Sequence, residues 1–91
     1  MGSDLNKTII NKTKVQEFIA SLLEKKQAIP ANVTIEGYRF IESGHVDSLG
    51  IMKFILQIED EFSIEITDDD MLSELFQSVG GLTEIILAKL K

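Results

Sequence analysis

The chain has 91 residues, of which 44% are hydrophobic and one is proline, and its formal net charge is −6. This length and composition indicate one small folded domain, and the negative charge argues against a nucleic-acid binder, which needs a basic surface. Cysteine is absent, which excludes disulfides, thiolate metal sites and cysteine nucleophiles.

The first predicted helix runs from about Thr13 to Lys26, after a flexible N-terminal segment at residues 1–12. Thr13 and Gln16 have the spacing of a capping box at the start of this helix. The apolar residues that follow recur on one helical face and are Val15, Phe18, Ile19, Leu22 and Leu23. We therefore place the folded domain at residues 13–91.

A connection of twenty residues, 27–46, follows the first helix and shows no sustained hydrophobic period. A featureless connection of that length is unusual in a compact domain, so we expect it to be anchored. The available apolar anchors are Ile35, Tyr38, Phe40 and Ile41. His45, near its end, is expected to be a solvent-exposed loop residue that at most contacts a bound phosphate.

The second predicted helix, from about Ser48 to Phe62, carries two apolar stripes when projected at about 100° per residue. The broader stripe faces a core and comprises Ile51, Phe54, Ile55, Ile58 and Phe62. The second stripe comprises Leu49, Met52 and Leu56, beside Ser48 and flanked by Lys53, Glu59 and Asp60. It indicates either burial on two sides or a docking surface, and the small size of the domain favours docking.

Two interpretations of the start of this helix remain open. Asp47 or Ser48 can be its N-cap, since both residue types are favoured there. Alternatively, the Ser48 hydroxyl is an attachment point for an anionic group, because a helix N-terminus has free N–H groups and a partial positive charge.

The remaining elements are an extended connector through Ile64 and Ile66, a short helix capped by Asp68 that reaches Leu75 or Phe76, and a final helix capped by Ser78. The final helix has an apolar stripe of Val79, Leu82, Ile85, Ile86 and Leu90. The sequence thus predicts an all-α protein with three main helices and one short helix, and a long loop between the first two.

Catalytic and metal sites are not indicated. Val46 stands where the Gly-x-Ser-x-Gly motif of hydrolases has its first glycine, and His45 is too close to Ser48 in sequence to be a separately oriented base. Residues 68–70 are all aspartate, but Ser73 stands where a calcium-binding EF-hand loop needs glycine. We expect neither a catalytic residue nor a metal ligand.

Charge and hydropathy also bear on partners and location. Residues 54–91 contain nine acidic residues and only two basic ones, Lys89 and Lys91, so basic protein surfaces are the expected partners. No run spans a membrane and no signal-peptide pattern is present, so we expect a cytoplasmic monomer without membrane insertion.

Several segments occur in an order and spacing that resemble the acyl carrier protein family, over roughly residues 13–90. They are Asp47-Ser48-Leu49, an apolar helix that ends at residues 58–62, Ile64-Glu65-Ile66, the acidic turn at residues 68–70, and Phe76-Gln77-Ser78-Val79. The tripeptide alone is weakly specific, whereas the whole series is specific.

The resemblance implies a four-helix bundle in which a phosphopantetheinyl transferase attaches 4′-phosphopantetheine from coenzyme A to Ser48, between Asp47 and Leu49. The arm would carry acyl or aminoacyl groups as thioesters. The implied partners are that transferase, an acyl- or aminoacyl-activating ligase, and acyltransferase or synthase enzymes. Leu49, Met52 and Leu56 match positions that contact partners, and Glu59 and Asp60 match acidic positions that meet basic surfaces.

Two residues depart from the pattern of the housekeeping fatty-acid carriers. Gly50 and Lys53 occupy helix positions that are commonly acidic there, so the surface near Ser48 is less negative. The segments Gly44-His45-Val46-Asp47-Ser48 and Phe76-Gln77-Ser78-Val79 resemble those of free-standing carriers of specialised acyl or aminoacyl pathways. We expect a carrier of that kind, and fatty-acid, polyketide and nonribosomal peptide pathways all stay open. The alternative is a small acidic helical adaptor that binds partners without an arm.

Overall fold

The structure is a computed structural model that describes residues 10–90; most of the predicted flexible segment 1–12 lies outside these residues. Four α-helices form the fold: α1 (Val15–Lys26), α2 (Ile51–Phe62), α3 (Asp68–Leu72) and α4 (Val79–Leu90). A π-helical turn, Ile10–Lys14, leads into α1, and a 3₁₀ turn, Glu74–Gln77, follows α3. Residues 10–90 contain no strand, and the predicted all-α bundle with one short helix is confirmed.

The start of α1 differs from the prediction. Lys14, which precedes the helix, already has right-handed helical dihedral angles and makes no side-chain cap. Because the chain enters α1 from the π-helical turn, its first amides continue an existing helical path and need no side-chain acceptor. The predicted capping box of Thr13 and Gln16 is therefore wrong. The side-chain nitrogen of Gln16 is buried without a hydrogen-bond partner in the described chain.

The hydrophobic core is built from α1, α2, α4, the long loop between α1 and α2, and single residues of the α2–α3 connector and the 3₁₀ turn, Ile66 and Phe76. Phe40, from the loop, is fully buried, and its ring lies 5.4 Å from that of Phe54 and 6.0 Å from that of Phe76. Tyr38 is also buried, and Ile35 and Ile41 pack partly buried against the core. All four predicted anchors of the loop are confirmed, which explains how a loop of this length stays fixed.

The N-terminus of α4 also holds this loop. Ser78 caps the helix by accepting a hydrogen bond from the Gly81 amide at 3.1 Å, as predicted. The two preceding amides are satisfied by the loop itself: Val79 N–H donates to the Tyr38 carbonyl at 3.0 Å, and Gly80 N–H donates to the Glu36 carbonyl at 2.8 Å. These first-turn amides have no partner within the helix, so they are free to bind the loop backbone.

The cap of α3 is Thr67 rather than the predicted Asp68. The Thr67 hydroxyl accepts from the Asp70 amide at 3.1 Å, while the Asp70 carboxylate accepts from the Thr67 amide at 2.8 Å. This reciprocal capping box satisfies two amides at once, which a cap at Asp68 does not do here. The helix ends at Leu72, because the extended Ser73 then caps the 3₁₀ turn through the Leu75 amide.

Asp70 also joins α3 to α4, since its carboxylate lies 2.7 Å from Lys89 Nζ. Burial opposes ionisation of Asp70, but the bonds from Lys89 and Thr67 outweigh it, so its pKa is lowered. A carboxyl group with a lower pKa in the folded chain adds stability above its unfolded pKa. That stability is lost as the pH falls through the folded pKa.

We expect Asp70→Asn to reduce the free energy of unfolding by about 1–2 kcal/mol at pH 7, because it removes a partly buried charge pair and keeps a capping oxygen. The difference from wild type should shrink as the pH falls below the pKa of an aspartate in the unfolded chain, about 4, and through the lower pKa of Asp70 in the folded chain. Urea unfolding at pH 7 and pH 3 measures both effects. Asp69→Asn is the matched control, since Asp69 is exposed; a pH-independent loss in Asp70→Asn would contradict the prediction.

None of the helices in the described part of the chain combines the length and the apolar character that crossing a bilayer requires.

Candidate functional site

The start of α2 is organised by Asp47. Its carboxylate accepts a hydrogen bond from the Gly50 amide at 2.7 Å, and its carbonyl accepts from the Ile51 amide at 2.9 Å. Residues 48–50 form a turn that continues directly into the regular helix at Ile51. The helix predicted from Ser48 is therefore a turn for its first three residues.

Ser48 lies in this turn, and its side chain does not stabilise the turn. The residue is exposed, and no hydrogen bond joins its hydroxyl to another residue of the described chain, because Asp47 supplies the cap. Of the two capping residues considered from the sequence, Asp47 is the one used. The Ser48 hydroxyl remains accessible at the positively polarised end of a twelve-residue helix.

Asp47 is a charged group beside this hydroxyl. The pKa of Asp47 is lowered, first by the hydrogen bond from the Gly50 amide and then by the positive charge of Lys26. Asp47 is therefore ionised at neutral pH, and the Lys26 ammonium lies near enough to act on it. Lys26 comes from the end of α1, so the surroundings of Ser48 include a cation that the local sequence does not contain.

The second apolar stripe of α2 is exposed. The exposed fractions are 90% for Leu49, 55% for Met52 and 59% for Leu56. In contrast, Phe54, Ile55 and Ile58 are buried, and the predicted core stripe is confirmed. Burial on two sides is thus excluded within the described chain. Leu72 on α3 is 83% exposed and was not recognised from the sequence as a surface residue.

The two acidic residues that flank this stripe have different surroundings. Glu59 is partly buried, and its carboxylate accepts a hydrogen bond from the Ile66 amide at 2.7 Å. It therefore fixes the connector between α2 and α3. Asp60 is exposed and presents its charge to solvent.

The prediction that His45 is a solvent-exposed loop residue is wrong. Its side chain is 3% exposed, with Nε2 lying 2.6 Å from the Leu23 carbonyl and Nδ1 lying 2.7 Å from the Tyr38 hydroxyl. A carbonyl only accepts, so in the neutral ring Nε2–H donates to Leu23 and Nδ1 accepts from Tyr38. His45 thus joins the last turn of α1 to the loop, three residues before Ser48.

Both ring nitrogens of His45 are used in these bonds, and neither is directed to Ser48. The only histidine of the chain therefore supplies no base to that hydroxyl. In residues 10–90, no group of three or more histidine, aspartate or glutamate side chains could hold a metal ion. The site offers an accessible hydroxyl, a helix N-terminus and nearby charges rather than a reaction centre of its own.

We expect Tyr38→Phe to lower the free energy of unfolding by about 1–2 kcal/mol, because it leaves the buried His45 Nδ1 without its donor. Urea unfolding measures the loss, and ¹⁵N chemical shifts of the His45 ring report which nitrogen is protonated in the wild-type chain. Unchanged stability, or a wild-type ring protonated at Nδ1 alone, would contradict this hydrogen-bond arrangement.

Comparisons with known proteins show what this chain is similar to. The profile of the family described as "Phosphopantetheine attachment site" matches residues 13–86, a range that includes Ser48. An acyl carrier protein of Lactobacillus acidophilus is 33% identical over 73 residues, which cover 80% of this chain and 84% of that protein. The comparison with solved structures gave no match.

Proposed function

The chain belongs to the acyl carrier protein family, and from this premise we propose that Ser48 bears the 4′-phosphopantetheine arm of a carrier that delivers acyl or aminoacyl thioesters to partner enzymes. The observation that best supports this proposal is the exposure of the Ser48 side chain, which makes no hydrogen bond in the described chain. Ser48 is exposed in the first turn leading into α2, and Asp47 rather than Ser48 forms the cap.

The residues at this position suit the arm. A phosphodiester on Ser48 would lie at the partially positive end of α2, where an anion gains on the order of 0.3–1 kcal/mol. Asp47 also carries a negative charge there, which the nearby Lys26 ammonium partly balances. The arm supplies the thiol for thioester chemistry, which a chain without cysteine cannot provide.

In the attachment reaction, an Oγ–P bond forms at Ser48 while the bond from the same phosphorus to the adenosine bisphosphate part of coenzyme A breaks. The hydroxyl proton must go to a base of the transferase, since a serine hydroxyl is a weak nucleophile alone and His45 is bound elsewhere. The chain is thus the substrate of this reaction. The residues of the chain keep the Ser48 hydroxyl exposed and stabilise the turn that contains it.

The exposed stripe of Leu49, Met52 and Leu56 supports a docking role for this side of α2. We propose that the transferase, the activating ligase and the acyltransferase or synthase enzymes all bind to this stripe. An exposed apolar stripe bounded by a free carboxylate, here that of Asp60, fits a partner surface with an apolar centre and a basic rim. Glu59 also carries a negative charge beside the stripe, although its carboxylate accepts the hydrogen bond from the Ile66 amide.

The absence of cysteine makes the proposed function directly measurable. The purified chain is incubated with coenzyme A and a broad-specificity phosphopantetheinyl transferase, and its thiols are then counted with a maleimide. We expect no thiol before the reaction and one per chain afterwards. With an acyl-coenzyme A instead, the thiol should appear only after hydroxylamine cleaves the thioester. A chain that gains no thiol would instead support the adaptor alternative.

We expect Met52→Glu to lower kcat/KM for loading by a cognate enzyme by about fivefold or more, because it places a charge in the centre of the proposed contact. Helicity measured by circular dichroism should not change, since Met52 is exposed. Val33→Glu likewise replaces an exposed apolar side chain with a carboxylate, at a loop position, and serves as the control. Equal loading kinetics for both variants and wild type would reject the docking role.

A further inference from the structure

A cleft lies between the C-terminal end of α1 and the first turns of α2, and the proposed attachment chemistry does not use it. Its volume is about 330 Å³, within the range of sites for small molecules. Leu22, Val46 and Phe54 provide the apolar part of its lining. The rest of the lining is Lys25, Lys26, Lys53, Gly50 and Gln57. We refer to this site as the lysine cleft.

The charge of the lysine cleft is opposite to that of the protein. Three of the nine basic residues of a chain with a net charge of −6 line it, and no acidic residue does. In residues 10–90, none of these three lysines forms a salt bridge within 4.0 Å; the pairs found there involve Lys12, Lys14, Arg39 and Lys89. The positive charge of Lys26 already acts on the Asp47 carboxylate, so Lys25 and Lys53 in particular face the apolar cleft without a lining carboxylate or a salt bridge.

Helix electrostatics explain two of these lysines but not the third. Lys25 and Lys26 lie in the last turn of α1, where a positive charge complements the negative end of the helix dipole. Lys53 lies in the first turn of α2, which contains no acidic residue and where a cation is disfavoured. Its position across the cleft from the other two favours an anionic ligand as the missing counter-charge.

A group tethered to Ser48 can reach the lysine cleft. Gly50 lines the cleft two residues after Ser48, and a Cβ atom at Gly50 would lie only 2.8 Å from Lys26 Nζ. The tether from Ser48 to the cleft must pass the turn at residues 48–50 that leads into α2. A phosphopantetheine arm extends to on the order of 20 Å, whereas a helix is about 10 Å across. Gly50 itself adds no side chain to this path, and the Lys26 side chain that lies beside it is flexible at its end.

We propose that the lysine cleft holds the distal end of an acyl cargo that ends in a carboxylate, separated from the thioester by several methylene groups. The methylenes would contact Leu22 and Phe54, and the carboxylate would bind the lysine ammonium groups. This inference rests on the proposed function and selects among its cargoes. An aminoacyl group with a protonated amine would be repelled by the same lysines, and a plain alkyl chain would leave them unbalanced.

Three cargoes of matched length test the proposal. A broad-specificity transferase moves the adipyl, hexanoyl or 6-aminohexanoyl phosphopantetheine group from its coenzyme A thioester to Ser48. Amide NMR spectra then compare each loaded chain with the arm alone. We expect the adipyl cargo to shift the amides of Gly50, Lys53 and Phe54, and to slow hydroxylamine cleavage of its thioester about fivefold relative to 6-aminohexanoyl.

Two double variants test whether the lysines of the cleft cause the difference between cargoes. Lys26→Gln combined with Lys53→Gln should remove the difference between cargoes, whereas Lys12→Gln combined with Lys14→Gln makes the same change in net charge away from the cleft and should preserve it. Equal shifts for all cargoes, no shifts at the cleft, or an unchanged difference in the Lys26/Lys53 variant would overturn the proposal. If no arm is installed at all, the proposed function fails instead, so the two failures are distinguishable.

Discussion

Ser48→Ala is expected to accept no phosphopantetheine from coenzyme A and to show no thiol after the transferase reaction, while its fold is unchanged. The loss should be complete, because the substitution removes the oxygen that forms the bond to phosphorus. Stability should change by less than about 0.5 kcal/mol, since Ser48 is exposed and Asp47 makes the cap. Maleimide labelling and urea unfolding of the same preparation measure the two effects.

Ser21→Ala is the matched control for this prediction. It makes the same chemical change at an exposed serine of α1, whose hydroxyl donates only to the Phe18 carbonyl. It should gain one thiol per chain, as the wild type does. A Ser48→Ala chain that still gains a thiol would place the attachment at another hydroxyl. An unfolded Ser48→Ala chain would show that the side chain supports the turn after all.

Gly81→Ala is expected to cause the largest loss of stability, about 3 kcal/mol or more. A Cβ atom at Gly81 would overlap the carbonyl oxygen of Leu75, which belongs to the rigid backbone of the 3₁₀ turn. Relieving this overlap must move α4 or the turn, and overpacking of this kind outweighs the gain of up to about 1 kcal/mol in helix propensity. Urea unfolding monitored by circular dichroism measures the change.

Gly50→Ala separates the effect of backbone overlap from the effect of replacing a glycine. The nearest atom to a Cβ at Gly50 is Lys26 Nζ, the end of a flexible side chain that can move away. Its stability should therefore remain within about 1 kcal/mol of the wild type. A loss at Gly81 no larger than that at Gly50 would contradict the close approach of α4 to the 3₁₀ turn.

A continuous path of contacts links the Ser48 turn to both long neighbouring helices. The α4 amide of Val79 binds the Tyr38 carbonyl, and the Tyr38 hydroxyl donates to His45. His45 in turn donates to the Leu23 carbonyl in α1. The loop therefore enters the turn at Asp47 from a fixed position, which keeps the exposed hydroxyl in place without using it in the fold.

The helices and the core stripes could be predicted from the sequence, because they follow from hydrophobic periodicity within one segment. The Ser78 cap could also be predicted from one segment, since the serine directly precedes the final apolar stripe. The cap of α3 could not be decided in this way, because Thr67 and Asp68 are both good caps and only the pairing with Asp70 selects Thr67. The end of α2 at Phe62 was predicted from the hydrophobic period, although Ser63, with φ of 54°, stands where glycine usually follows a helix.

The candidate site could be predicted in part. The start of a predicted helix identified Ser48, and projection of that helix identified the stripe of Leu49, Met52 and Leu56, in both cases from residues close together in sequence. The burial of His45 could not be predicted, because one partner, Leu23, lies 22 residues away and is a backbone carbonyl. Lys26 was missed for the same reason: it reaches the first turn of α2 from another helix.

The most direct test of the account is the position of the arm on the chain. The wild-type protein is incubated with coenzyme A and the transferase, digested, and analysed by tandem mass spectrometry. We expect one phosphopantetheinyl group, on the peptide that contains Asp47, Ser48 and Leu49, with the fragment ions placing it on Ser48. A group found on any other residue, or a fully folded chain that acquires none, would contradict it.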